Sequence, residues 1–135
     1  MDKDEILQQW IDKAKEDLRV AEYLSAMHHP TPDEIICFHC QQSAEKYFKA
    51  VLFANDIEPP NSHDLKRLLE MCQPYNAEFS KLSSNAYVLT RYGVMPRYPN
   101  ELGITKEDMK NAIVSAKNVQ DFVLKVFNKS SFSEN

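Results

Sequence analysis

The sequence predicts an all-α protein, an up-and-down four-helix bundle with one additional short helix. Apolar residues recur at helical spacing in four long stretches, and no stretch shows the sustained alternation of a half-buried strand. Only two glycines occur among 135 residues, which excludes glycine-rich phosphate loops. Since 135 residues suffice for one core, we predict a single domain over residues 1–128 and a frayed tail over 129–135.

The first predicted helix covers about residues 2–27 and ends before the sequence His28-His29-Pro30. The second runs from Asp33 to about Asn55. A capping box of Thr31 and Glu34, with Pro32 as the first helical residue, predicts its start. The short link makes these two helices antiparallel neighbours.

The second helix is the predicted hub of the bundle. Its apolar residues cover an arc clearly wider than the roughly 100° stripe of a surface helix, so it should pack against several neighbours. Gln41 falls inside this arc and therefore needs a buried hydrogen-bond partner. Cys37-Phe-His-Cys40 matches C-x-x-C, and both cysteines also lie in the arc, which favours core packing. The alternative is a redox or zinc site.

Three shorter signals complete the bundle. Ser62 is the predicted cap of a short third helix, His63–Cys72, and Pro74 starts a fourth helix with Tyr75 in its core stripe. Thr105 and Asp108 form the capping box of the fifth.

The candidate site lies where the irregular stretch Gly93–Gly103 meets the fourth helix and the end of the second. We expect a ligand-binding basic patch with nearby aromatic rings and a histidine. Its predicted members are Lys46, Lys49, His63, Arg91, Arg97 and Tyr98. The alternative is an ordinary solvated face, with Arg97 paired to Glu101 or Asp108.

Overall charge and cysteine usage limit the possible settings. The net charge of −4 gives no global basic field, so an anion site must be local. Three cysteines are an odd number and suggest a reducing, cytoplasmic compartment. No apolar run approaches the roughly 20 residues of a membrane span. We predict no cofactor, no metal site and no membrane association.

Four motifs resemble the HEPN domain family. Trp10-(x3)-Ala14-(x2)-Asp17-Leu18-(x2)-Ala21 resembles its opening helix, and Cys40-Gln-Gln-Ser-Ala-Glu-Lys-Tyr-Phe-Lys-Ala50 its central helix. His63-Asp-Leu65 and Arg97-Tyr-Pro99 follow at the expected places. The resemblance implies a five-helix bundle, usually a homodimer, with a nucleotide- or RNA-related role. HEPN proteins are often encoded beside a minimal nucleotidyltransferase and act with it as a toxin–antitoxin or two-component nucleotidyltransferase pair.

Many HEPN proteins are ribonucleases that carry arginine, four to six residues, and then histidine. No arginine of this chain has a histidine at that distance, and RNA cleavage without a metal needs a group that takes the 2′-hydroxyl proton. The leading hypothesis is therefore a non-catalytic HEPN subunit that binds a nucleotide, RNA or a minimal nucleotidyltransferase. One alternative is a degenerate ribonuclease using Arg91, Arg97 and His63. The other is a structural dimeric adaptor without a ligand.

Overall fold

The structure is a computed structural model that describes residues 1–27, 30–94 and 102–129. Its helices are α1 (Lys3–Ser25), α2 (Asp33–Ala54), α3 (Leu65–Cys72), α4 (Ser83–Thr90) and α5 (Lys106–Phe127). Two 3₁₀ turns, Gln73–Tyr75 and Ala77–Leu82, connect α3 to α4. No strand occurs in the described ranges, and the predicted all-α class is confirmed.

The hub role of α2 is confirmed. It packs against all four other helices, and 13 of its 22 residues are buried. Tyr47, Phe48 and Leu52 are completely buried and contribute much of the apolar surface removed from water. Gln41 is also completely buried, as its place in the apolar arc predicts.

The helix starts agree with the sequence at α1 and α5 but not at α2. Asp2 caps α1, and Thr105 with Asp108 forms the predicted capping box of α5. The predicted capping box of α2 is wrong, because Pro32 occupies the cap position and no side chain caps that end. The Thr31 hydroxyl instead donates to Asp33 at 2.5 Å and accepts from Lys106 at 2.8 Å, which ties the α1–α2 link to α5.

The region of α3 and α4 departs further from the prediction. The cap of α3 is Asp64, whose carboxylate accepts from the backbone N–H groups of Lys66 and Arg67. Ser62 was the wrong choice, since its hydroxyl accepts only from the Asp64 N–H, one step before the helix. The predicted long fourth helix is also wrong. The extended backbone of Asn76 interrupts it, and Tyr75 is 43% exposed instead of lying in the core.

The predicted irregular stretch Gly93–Gly103 lies mostly outside the described residues, which include only positions 93, 94, 102 and 103 of it. Of the predicted tail 129–135, only Lys129 is described. Within the described ranges, every helix is too short or too polar to cross a membrane.

Candidate functional site

A polar cluster at the α2–α3 junction is built around the carboxylate of Glu45, whose side chain is 7% exposed. Lys49 donates to Oε2 at 2.9 Å from one helical turn further along α2. Gln41 donates to Oε1 at 3.1 Å from one turn before, and His63 Nδ1 lies 2.8 Å from the same oxygen. Spacings of four residues place the three α2 side chains in one row. This group of four is called the junction cluster below.

The junction cluster keeps Glu45 ionised. Burial acts to raise the pKa of Glu45, because a carboxylate loses hydration inside the protein. The hydrogen bonds from His63, Lys49 and Gln41 together outweigh burial, and they hold the pKa of Glu45 below its ordinary value of 4.5. A fixed negative charge therefore lies beneath the half-exposed ring of His63.

The backbone at Gly93, just after α4, packs closely against the junction cluster. A Cβ atom at this position would lie 3.2 Å from both Gln41 Nε2 and His63 Cβ, which is tighter than ordinary packing. Gln41 also donates to the His63 carbonyl at 3.2 Å, and the Leu65 N–H donates to the Thr90 hydroxyl at 3.2 Å. The chain that leaves α4 therefore starts beside His63.

A cleft of about 350 Å³ opens between α4 and α5. Its lining residues are Tyr87, Val88, Thr90, Arg91, Tyr92, Asp108 and Asn111. Tyr87 is 81% exposed, whereas Tyr92 is buried at its base. The cleft thus combines a cation with one aromatic ring that solvent, or a ligand, can reach.

Arg91 lies in this cleft with about half of its side chain exposed. Its guanidinium carbon is 4.9 Å from the centroid of the Tyr92 ring, and Nη2 is 3.7 Å from Asp108 Oδ2. A separation of 3.7 Å is too long for a hydrogen bond, and an ion pair this exposed contributes little. Tyr92 and Asp108 therefore orient the guanidinium of Arg91, and about half of its side chain stays exposed.

Asp108 is the acid of the cleft, and its main partner is the start of α5. The Thr105 N–H donates to its carboxylate at 2.9 Å. This bond is the largest cause of the lowered pKa of Asp108, with smaller contributions from the Thr105 hydroxyl and from Arg91. Asp108 therefore stays charged and holds Arg91 near the helix end.

The other side of α2 carries a second carboxylate–histidine pair. Asp17 on α1 lies 3.0 Å from His39 Nδ1 through Oδ1, and its Oδ2 accepts from Lys46. The side chains of Asp17 and His39 are 14% and 28% exposed. Nearby, the Ser43 hydroxyl donates to the Ala14 carbonyl at 2.7 Å. This pair fastens α1 to α2.

The structure places the six predicted site residues in different surroundings. His63 belongs to the junction cluster and Arg91 to the cleft, two residues before Gly93. Lys49 is 7% exposed and bonded to Glu45, so the alternative of a solvated face does not hold for this residue. Lys46 is half-buried and paired with Asp17 across the α1–α2 interface. Arg97 and Tyr98 lie outside the described residues.

The cysteines fill core positions, as predicted for Cys37 and Cys40. All three are buried and unpaired. Burial raises the pKa of the Cys37 and Cys72 thiols to about 12, so both stay protonated near neutral pH. Within the described part of the chain, no three His, Cys, Asp or Glu side chains lie close enough together to hold a metal ion.

Sequence reasoning missed Glu45 and Asp17, the two carboxylates that orient the histidines. A signal for Glu45 was present, because Gln41, Glu45 and Lys49 are spaced by four residues and drift by only about 40° per step around the helix. If Gln41 is buried, Glu45 must lie near the same interface. For Asp17 the sequence held no comparable signal, since its partners are on another helix.

The fold and the site define an all-helical bundle with polar clusters at its helix junctions. Comparison with known proteins shows the family to which the chain belongs. The HEPN domain model matches residues 7–126, and this chain belongs to the HEPN domain family. A protein of Methanocaldococcus jannaschii named "Putative toxin MJ1304" is 32% identical over 138 aligned positions, which cover 91% of this chain and 88% of the relative. The crystal structure of TT1696 from Thermus thermophilus is similar with a TM-score of 0.72 and 23% identity. The match covers 88% of this chain and 96% of that one, and it is a likeness in fold.

Proposed function

We propose that this chain is a non-catalytic HEPN subunit of a toxin–antitoxin pair that binds a nucleotide or RNA. Membership of the HEPN family and similarity to a protein named as a toxin support this setting. The observation that carries the proposal is Arg91, a half-exposed guanidinium in an open cleft beside an exposed tyrosine ring. A minimal nucleotidyltransferase is the proposed protein partner of the pair.

The chemistry of the cleft suits a phosphate-bearing ligand. An arginine fork can hold a phosphate with two parallel hydrogen bonds, which a lysine does less specifically. The exposed ring of Tyr87 offers a surface on which a base can stack. Because the whole chain has a net charge of −4, attraction of an anion depends on such a local group.

A homodimer is part of the proposal. Tyr87 on α4 and Val114 on α5 are 81% and 57% exposed, and Phe38 and Phe53 on α2 are incompletely buried. Such apolar surface often marks an interface. A second copy joined across the α4–α5 face would bring two Arg91 side chains into one cleft. Sedimentation at micromolar concentration should show a dimer, and a monomer alone would remove this part of the proposal.

The direct test is a binding titration of a 5′-mononucleotide and a short RNA. Wild type, Arg91→Ala and Arg19→Ala are compared, since Arg19 is an exposed arginine on α1 and its loss removes the same charge. A charge-assisted hydrogen bond is worth about 1.5–3 kcal/mol, so Arg91→Ala should weaken binding about tenfold or more. Arg19→Ala should change little. Equal affinity of all three proteins would remove the site from the cleft, and no binding by wild type would favour the structural adaptor.

The pairing of His63 with Glu45 favours a degenerate ribonuclease as the second candidate. A carboxylate that holds one ring nitrogen leaves the other free to accept a proton from a 2′-hydroxyl. The proposed partners of His63 in such a site are Arg91 and Arg97. The test is incubation with an RNA oligonucleotide and with its 2′-deoxy analogue. Cleavage of the RNA alone, lost in His63→Ala, would promote this candidate over the first.

A further inference from the structure

We propose that His63 is a second phosphate contact of the same site and binds the phosphate in its protonated form, so that ligand binding takes up a proton. This inference rests on the proposed function and adds to it a residue and a pH dependence. Its ligand is the phosphate group of a nucleotide or of RNA. The role of Glu45 is to position the ring of His63.

The His63 ring is accessible although its partner is not. The His63 side chain is 54% exposed, whereas the Glu45 side chain is 7% exposed. Because Nδ1 is engaged by Glu45 at 2.8 Å, Nε2 is the ring nitrogen left for a ligand. In the protonated ring both nitrogens are donors, so a phosphate oxygen can accept from Nε2.

Several charged residues belong to the elements that pack around His63. Glu45 and Lys49 lie on α2, Asp64, Lys66 and Arg67 on the segment that opens α3, and Arg91 near the end of α4. His63 and Lys49 contact different oxygens of the Glu45 carboxylate, so the charge of Lys49 is already engaged. Lys66 and Arg67 form no ion pair with another described residue, so their charges also attract an anion.

His63 lies near enough to Arg91 for one ligand to contact both. A Cβ on Gly93 would be 3.2 Å from the His63 Cβ, and Arg91 is two residues before Gly93. Two residues of chain span at most about 7 Å, so the Arg91 Cα is within roughly 12 Å of the His63 Cβ. A short oligonucleotide or a nucleoside polyphosphate is long enough to bridge a gap of this size.

The exposed ring is not needed to hold the junction together. Gln41 already fixes position 63 through its backbone carbonyl, and Thr90 fixes Leu65 through its backbone N–H. Both hydrogen bonds would form with any side chain at position 63. A half-exposed ion pair adds little stability of its own. The imidazole ring is therefore not required to hold the junction, which leaves it available to contact a ligand.

The test is an NMR titration of the histidine ring signals between pH 5 and 8, with and without inorganic phosphate. His63→Gln assigns the His63 signal, and His39 is the internal control because it also contacts a carboxylate. Phosphate should raise the titration midpoint of His63 by about half to one pH unit and leave His39 unmoved. In Glu45→Gln, which removes the carboxylate that positions the ring, the phosphate effect should shrink. The inference would be overturned if the His63 titration midpoint were the same with and without phosphate, or if the His39 midpoint rose equally.

Two further arms separate this inference from the proposed function. Repeating the titration with a 5′-mononucleotide and with a short RNA shows which phosphate source is preferred, and a larger rise than with inorganic phosphate is expected from either. If Arg91→Ala abolishes RNA binding while His63 ignores every phosphate, the inference fails and the function stands. If wild type binds neither nucleotide nor RNA while inorganic phosphate still raises the His63 midpoint, the function fails and the phosphate contact stands.

Discussion

The two carboxylate–histidine pairs on opposite sides of α2 have nearly the same local chemistry and different surroundings. In each pair a carboxylate oxygen lies close to Nδ1 of the ring, at 2.8 Å for Glu45–His63 and 3.0 Å for Asp17–His39. In each, a lysine binds the other oxygen. The Asp17 pair is partly buried as a whole, whereas the Glu45 pair joins a buried carboxylate to an exposed ring.

This difference in exposure underlies the proposed division of roles, in which the Asp17 pair joins two helices and the Glu45 pair presents His63 to a ligand. Asp17 connects two long helices, where His39 and Lys46 both belong to α2 and solvent reaches all three side chains a little. Glu45 connects one helix to the end of a loop, beside a glycine where the chain leaves α4. Burial makes Glu45 important for stability, and exposure makes His63 available to a ligand. Under the proposed function, the same pair of residue types therefore serves two purposes according to its place in the bundle.

The largest expected effect comes from removing the buried carboxylate. Glu45→Ala leaves Lys49, whose side chain is 9% exposed, without its partner. Breaking one half of a buried ion pair costs about 3–5 kcal/mol, so urea unfolding should show a loss of this size. Asp17→Ala is the matched change in the partly exposed pair, and we expect about 1–2 kcal/mol. Equal losses for the two variants would show that burial does not distinguish the pairs.

A smaller effect is expected at Gln41, the buried amide of the junction cluster. Gln41→Leu removes the hydrogen bonds to Glu45 and to the His63 carbonyl, and it leaves these acceptors buried. The loss in the free energy of unfolding should be about 1–3 kcal/mol. Gln8→Leu is the control, since Gln8 is an exposed amide on α1 that donates to Asp12, and its loss should change the free energy of unfolding little. An unchanged melting curve for Gln41→Leu would contradict the role assigned to this side chain.

The third effect is a pH dependence of stability that Glu45 contributes. The pKa of Glu45 is lower in the folded chain than its ordinary value of 4.5, so folding releases a proton around that pH. The stabilisation is therefore present above about pH 4.5 and is lost as pH falls through the folded pKa. Compared with wild type, Glu45→Gln should lose less stability between pH 5 and pH 3. Glu70→Gln, at an exposed position on α3, should follow wild type.

Much of the fold could be predicted from the sequence, because periodicity along one helix is a local property. The hub role of α2, the burial of Gln41 and the capping box of Thr105 all follow from spacings within a few turns. The break at Asn76 was not predictable in this way, since Pro74 and the spacing of the following apolar residues also fit one continuous helix. The choice between a continuous helix and one interrupted at Asn76 depends on packing in the α3–α4 region.

The site was less predictable because its partners come from different elements. His63 and Arg91 could be named from the sequence, but nothing in the spacing shows that Gly93 brings them to one end of the bundle. Lys46 and Lys49 were predicted as members of a basic patch, yet each pairs with a carboxylate, Lys46 with Asp17 of another helix and Lys49 with Glu45 of its own. Charge patterns along a chain show which residues are polar, and the fold determines which of them remain available.

The account is tested most directly by the affinity of a short RNA or a 5′-mononucleotide for His63→Gln and His39→Gln, measured at pH 6 beside wild type. Both variants replace a carboxylate-paired imidazole by the same neutral amide. We predict that His63→Gln weakens binding about tenfold, as expected for one charge-assisted hydrogen bond, while His39→Gln binds like wild type. Equal affinities for the two variants would contradict the division of roles between the two pairs.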